Sequence, residues 1–162
     1  MHLGQQTVRE LMMTAVPTVE RTAVIEEILD TLVGHGSSFV VVVDGEKPVG
    51  MVTERTLLPK VTASESEHKG SLLTALFHSL GETLDHADEL RKARATTADE
   101  AMSTPLVTVG SETSVASAVE LFEEHNFRQL PVVDGGKLVG VLRQRDIIRA
   151  LREEIGHHAA QG

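Results

Sequence analysis

The 162-residue chain is 41% hydrophobic but only 2% aromatic, with four Phe and neither Trp nor Tyr, so its interior must be aliphatic; the length suits one domain or two small halves sharing a core. The absence of cysteine excludes disulfides, thiolate metal sites and cysteine nucleophiles, and a net charge of −9 speaks against a general nucleic-acid or anionic-lipid surface. No apolar run approaches the ~18 residues that span a bilayer, and MHLGQQTVRELM lacks the basic flank and apolar stretch of a signal peptide, so a soluble, cytoplasmic protein is expected.

In chain order, Thr7-Val-Arg-Glu10 reads as a capping box opening a short helix to Met12. Val16–Val19 is a brief extended piece with β-branched residues. Val24, Ile25, Ile28, Leu29 and Leu32 share one face of an amphipathic helix. Phe39–Val43 has the character of a buried strand. Asp44-Gly45 makes a tight hairpin turn, where Gly tolerates positive φ, and Val49–Val52 returns as the partner strand. A further helix starts near Arg55. Residues 61–96 form a linker with a helical insert, in which Leu72, Leu73, Leu76, Phe77 and Leu80 share a face. It reads either as a helix packed on the rest or as a partner-contacting arm.

From Thr97 the pattern starts again. Sliding the chain by 90 residues aligns 8–60 with 98–150 without a gap, and pairs Glu10 with Glu100, Met12 with Met102, Thr18 with Thr108 and His35 with His125. The densest match sets VVDGEKPVG (42–50) against VVDGGKLVG (132–140). Thr97-Ala-Asp-Glu100 is the second capping box and Leu106–Val109 the second extended piece. Val115, Ala118, Val119 and Phe122 form the second helix face, Leu130–Val133 and Val139–Leu142 the second strand pair, and a last helix starts near Arg145. A duplicated strand–helix–strand–strand–helix unit predicts an α+β fold. Each unit is small for a core of its own, so the two are expected to pack with pseudo-twofold symmetry, small mixed sheets flanked by helices, leaving clefts suited to small ligands. The expected divisions are 7–60, the linker 61–96, 97–151 and a flexible tail 152–162.

The repeat resembles the CBS (cystathionine β-synthase) domain, and two in tandem resemble a Bateman module. The resemblance rests on LPVVDGGKLVG and the following G-x-x-[ST]-x-x-D pattern, and covers about 8–60 and 97–151. It implies a regulatory module, not an enzyme, whose clefts bind AMP, ADP, ATP or S-adenosylmethionine, with no cofactor required. In such a site a carboxylate accepts a ribose diol, a Thr or Ser hydroxyl lies near sugar or phosphate, and apolar residues wall the base.

Here that motif is split. Gly50-Met-Val-Thr53-Glu-Arg-Thr56 keeps the Thr and lacks the Asp, whereas Gly140-Val-Leu-Arg143-Gln-Arg-Asp146 keeps the Asp and has Arg in place of the Thr. In the family each cleft takes its base wall from one repeat and its ribose motif from the other. The resemblance therefore implies one better ligand site, joining Val16, Pro17, Thr18, Ser37 and Ser38 to Val141, Arg143 and Asp146, with Arg128 and Gln129 at the phosphates. A second, weaker cleft would use Leu106, Val107 and Thr108 with Thr53. Bland roles stand beside these: Asp146 as a cap of the last helix, which is compatible with ribose binding; Arg143 as a phosphate ligand, the partner of a nearby carboxylate or a filler of the cleft; Thr53 as a turn residue; His35 and His125 as helix C-terminal caps. Asp44 and Asp134 are assigned to turns. No catalytic or metal-binding constellation is read. The expected partners are a second copy in a homodimer and a regulated protein of unknown identity; a ligand-free docking module is the alternative.

Overall fold

A computed structural model describes residues 2–57 and 96–162; the linker helix expected within 61–96 lies outside the described residues. After a turn of 3-10 helix at Leu3–Gln5, the elements are α1 (Val8–Leu11), β1 (Thr18–Glu20), α2 (Ile25–His35), β2 (Phe39–Asp44), β3 (Lys47–Thr53) and α3 (Glu54–Leu57). They continue with α4 (Ala98–Ala101), α5 (Val115–His125), β4 (Gln129–Asp134), β5 (Lys137–Arg143) and α6 (Gln144–Ala160). The architecture is α+β, two small sheets with flanking helices, as the periodicities predict. Residues 152–160, where a tail was expected, continue α6 as helix: Arg152, Glu153, Glu154 and the two alanines are sound helix formers. No helix among the described residues is long and apolar enough to cross a membrane.

The compact units cut across the two sequence repeats. One consists of 1–16, 46–48 and 107–162, the other of 17–45 and 49–106. Each body therefore carries the leading segment of the other repeat, by the same contacts displaced by 90 residues. In the first unit Thr7 bridges Ser114 and Met13 bridges Val141; in the second, Thr97 bridges Val24 and Ser103 bridges Met51. The leading helices bury their apolar residue in the borrowed core: Val8 joins Val109, Ala118, Phe122, Leu130, Val132 and Leu142, while Ala98 joins Val19, Ile25, Ile28, Leu32, Val40, Val42, Val52 and Leu57. Full burial of a side chain such as Ile25 or Leu130 contributes about 1.5–3 kcal/mol, and a four-residue helix has no stability of its own. Packing is what holds these segments.

In the sheet of the second unit, β2 lies between β1 and β3. Its residues Phe39–Val43 are buried on both faces, which is why the sequence there is continuously apolar rather than alternating. β1 runs parallel to β2, with Thr18, Val19 and Glu20 opposite Val41, Val42 and Val43. The first unit pairs β4 with β5 in antiparallel register, and the extended piece expected at Leu106–Val109 shrinks to a single parallel bridge, Val109 to Val132. The physical reason is one residue. Val41 donates its N–H to the Pro17 carbonyl at 3.0 Å, but position 131, the counterpart of 41, is proline and has no N–H to give. Both hairpin turns follow expectation, with positive φ at Gly45 and at Gly135 and Gly136.

Candidate functional site

The best-built polar cluster stands where β5 turns into α6. Arg143 is the last residue of β5 and the N-cap of α6, in extended conformation. Asp146, three residues on, is therefore at the N3 position, from which a carboxylate reaches back to the exposed amide of the cap: Asp146 Oδ2 accepts the Arg143 N–H at 3.2 Å. The Arg143 side chain folds onto the same carboxylate. Its Nε donates to Oδ2 at 2.8 Å and its Nη2 to Oδ1 at 2.7 Å, a two-point fork of the kind that makes Arg–carboxylate pairs strong. Asp146 is only 7% exposed. The bond to Asp146 holds the Arg143 guanidinium above its ordinary range, with burial opposing.

The strand before it is tied into the same corner. Gln129 faces Arg143 across the β4–β5 ladder. The Gln144 N–H donates to the Arg128 carbonyl at 3.0 Å, and Gln144 Nε2 donates to the Phe127 carbonyl at 2.6 Å. The exposed Arg128 side chain is thus anchored through its backbone to the first turn of α6. Of the residues the sequence singles out, the first unit contains Val16, Val107, Thr108, Arg128, Gln129, Val141, Arg143 and Asp146. The ladder and these bonds connect Arg128, Gln129, Arg143 and Asp146. Val141 is wholly buried and exchanges two backbone hydrogen bonds with Met13, at 2.9 and 3.0 Å. Val16 and Val107 are half-buried and Thr108 is exposed.

The second unit contains Pro17, Thr18, Ser37, Ser38, Thr53 and Leu106. Pro17 is buried, Thr18 and Ser38 are exposed, and Leu106 is half-buried. The Ser37 hydroxyl donates to the Phe39 carbonyl at 2.7 Å and accepts the Phe39 N–H at 3.2 Å, so it serves the turn entering β2. The Ser38 carbonyl accepts the Glu54 N–H at 3.2 Å, the counterpart of the Arg128–Gln144 bond. Thr53 is committed locally as well. Its N–H donates to Thr56 Oγ1 at 2.8 Å and its hydroxyl accepts the Thr56 N–H at 3.3 Å. Both copies of the split motif are closed on themselves, one by a Thr–Thr exchange and one by an Arg–Asp fork. The T-x-x-T spacing at 53–56 is the sequence signal for the first of these.

The motif glycines have a packing role. A Cβ on Gly140 would lie 2.6 Å from Met12 Sδ and 2.8 Å from the Met13 carbonyl oxygen, and one on Gly50 would overlap the Met102 side chain. Each glycine admits the methionine of the borrowed leading segment. A hollow of about 750 Å³ elsewhere on the first unit is lined by His2, Glu10, Glu154 and His158 among others, and includes none of the expected ligand residues.

The CBS domain model matches the chain twice, at residues 8–62 and 98–153. An uncharacterised protein of Methanopyrus kandleri is 32% identical over 146 residues, which are 89% of this chain and 60% of that protein. A protein of Methanocaldococcus jannaschii is 32% identical over 120 residues, 70% of this chain but 24% of its own length, so the chain spans less than two thirds of the first relative and about a quarter of the second. The CBS domain-containing protein YhcV of Bacillus subtilis is 26% identical, over 87% of this chain and 82% of its own. Among solved structures, CBSX2 in complex with AMP superposes with a TM-score of 0.67 at 24% identity, covering 91% of this chain and 96% of that one. The CBS domain of a membrane protein from Sphaerobacter thermophilus gives 0.68 at 25% identity, covering 91% and 88%. With both repeats matched, by sequence and by fold, the chain belongs to the CBS domain family as a tandem pair.

Proposed function

We propose that the chain is a regulatory module that binds an adenosine-containing nucleotide through Asp146, Arg143 and their neighbours Arg128 and Gln129, and that passes the signal on by self-association or by docking a partner protein. The observation that carries this reading is a nine-tenths-buried carboxylate held by a cationic fork at the family's ribose-motif position. The AMP bound to CBSX2 supports the ligand class. No catalytic step is assigned to the chain.

One observation favours the alternative of a ligand-free docking module: the Asp146 carboxylate already has an internal partner in Arg143. Calorimetric titration with AMP, ADP, ATP and S-adenosylmethionine separates the two. Binding of at least one, weakened about tenfold or more in Asp146→Ala through loss of the diol acceptor, is the expected result. Equal affinity in that variant would overturn the assignment of Asp146, and no binding by any of the four leaves the docking module. Because the chain has neither Trp nor Tyr, an adenine band near 260 nm in freshly purified protein reports a retained nucleotide directly.

A further inference from the structure

Ionised carboxylates offer about four lone-pair sites, and three at Asp146 face donors of Arg143: the two of its fork and its backbone N–H. A ribose diol needs one site on each oxygen, and both sites on Oδ2 are taken, one by the backbone N–H and one by the Nε of the fork. Any diol arriving at Asp146 must therefore displace the guanidinium. Arg143 is itself only 24% exposed in its side chain, so a guanidinium turned away without a new acceptor leaves a partly buried charge with orphaned N–H groups, an expensive state. A neutral nucleoside has nothing to offer it. A nucleotide carries a phosphate, whose oxygens match the planar fork as well as a carboxylate does. The other copy of the motif has no such requirement, since the counterpart of Arg143 is Thr53, a neutral side chain satisfied by Thr56.

We propose that Arg143 makes this site selective for anionic nucleotides over neutral nucleosides, because the ligand must replace Asp146 as the acceptor of its guanidinium. The proposal rests on the reading that an adenosine-type ligand binds at Asp146. Arg143→Thr removes the fork and sets Thr at an N-cap three residues before Asp146, a capping-box pairing that maintains the start of α6, so the variant is expected to fold.

The test is calorimetric titration of AMP and adenosine into the full chain and into R143T, with a thermal melt of both proteins. In the parent, adenosine binds at least about thirtyfold more weakly than AMP; in R143T the two fall to within about threefold of one another, chiefly because adenosine gains. If R143T does not fold, R143K takes its place: an ammonium occupies one carboxylate oxygen as a point charge, and the adenosine deficit shrinks. Equal binding of AMP and adenosine by the parent overturns this proposal and leaves nucleotide binding intact. AMP binding that appears only in R143T also overturns it, since Arg143 is then a permanent plug. Failure of every protein to bind AMP overturns this proposal, and failure with ADP, ATP and S-adenosylmethionine as well refutes the nucleotide reading itself.

Discussion

At the scale of single residues, the duplication makes equivalent positions comparable, and the comparison separates packing from chemistry. Gly50 and Gly140 open the two copies of the G-x-x-[ST]-x-x-D motif, yet what each makes room for is a methionine of the borrowed segment. Gly140→Ala is expected to cost about 2–3 kcal/mol, because the overlap includes backbone oxygen that cannot move aside; Gly50→Ala, crowding one unbranched side chain, is expected to cost less. Urea unfolding of the two variants gives the order directly. The turn aspartates, assigned no chemistry from sequence, are staples. Asp134 accepts the Ser111 hydroxyl and its N–H, and Arg9 reaches both Ser111 and Asp134; in the other unit Arg21, the counterpart of Ser111, pairs with Asp44 and Asp99. The Ser111 hydroxyl bond, then its backbone bond, holds the Asp134 carboxyl below its usual range. A folded value depressed below the unfolded one means stability present above about pH 3.9 and lost as the pH falls through the folded value. Ser111→Ala is therefore expected to be less stable than the parent at pH 7, with the gap narrowing towards pH 3. A gap independent of pH in paired denaturation curves would contradict this.

At the scale of elements, the duplicated helices show how the same fold tolerates unequal local signals. α5 is capped by Ser114, whose hydroxyl accepts the Ser117 N–H at 3.2 Å. α2 starts from Val24, which has no side-chain cap although its backbone is already extended at φ −82° and ψ 165°. Val24→Ser places a capping hydroxyl three residues before Glu27, and is expected to raise stability by about 0.5–1 kcal/mol, measurable as a higher urea midpoint at unchanged slope. The C-terminal ends make the complementary point. Gly36 and Asn126 both adopt the left-handed conformation, at φ 56° and 54°, the two residue types that do so at least cost. His35, at the end of α2, places Nδ1 2.9 Å from the Thr31 carbonyl, consistent with the capping role read for it, while the His125 ring stacks on Phe127.

At the scale of the whole molecule, the two halves of the chain depend on each other through their exchanged leading segments. Val8 and Ala98 are fully buried in cores otherwise made by the opposite repeat, so neither repeat alone supplies a complete core. Among the described residues α6 also carries an exposed apolar stripe: Ile148, Leu151 and Ile155 are 66%, 46% and 62% exposed, spaced three and four residues apart on one helical face. Three large apolar residues aligned in this way suit the expected homodimer better than a monomer. Light scattering at micromolar concentration is expected to give a dimer, and Ile148→Glu with Ile155→Glu to give a monomer with an unchanged circular dichroism spectrum. A monomeric parent would remove this face from consideration.

The duplication, the α+β class, both hairpin turns and the order of elements, apart from the strand at Leu106–Val109 that shrinks to a bridge, were legible in the residues alone, because periodicity, capping boxes and Asp-Gly pairs are local signals. The departures of the two G-x-x-[ST]-x-x-D copies were legible too, Arg143 with Asp146 in one and Thr53 with Thr56 in the other. Two further outcomes depended on the fold. That each leading segment completes the other repeat's core is a choice among distant contacts of similar chemistry, which local patterns do not rank. That the Arg143 fork closes on Asp146 depends on the strand ending at Arg143 and the helix starting after it, which sets a cation and a carboxylate three residues apart in one buried corner. The residues specified the pieces; only their packing decided which charges are left without water and must satisfy one another.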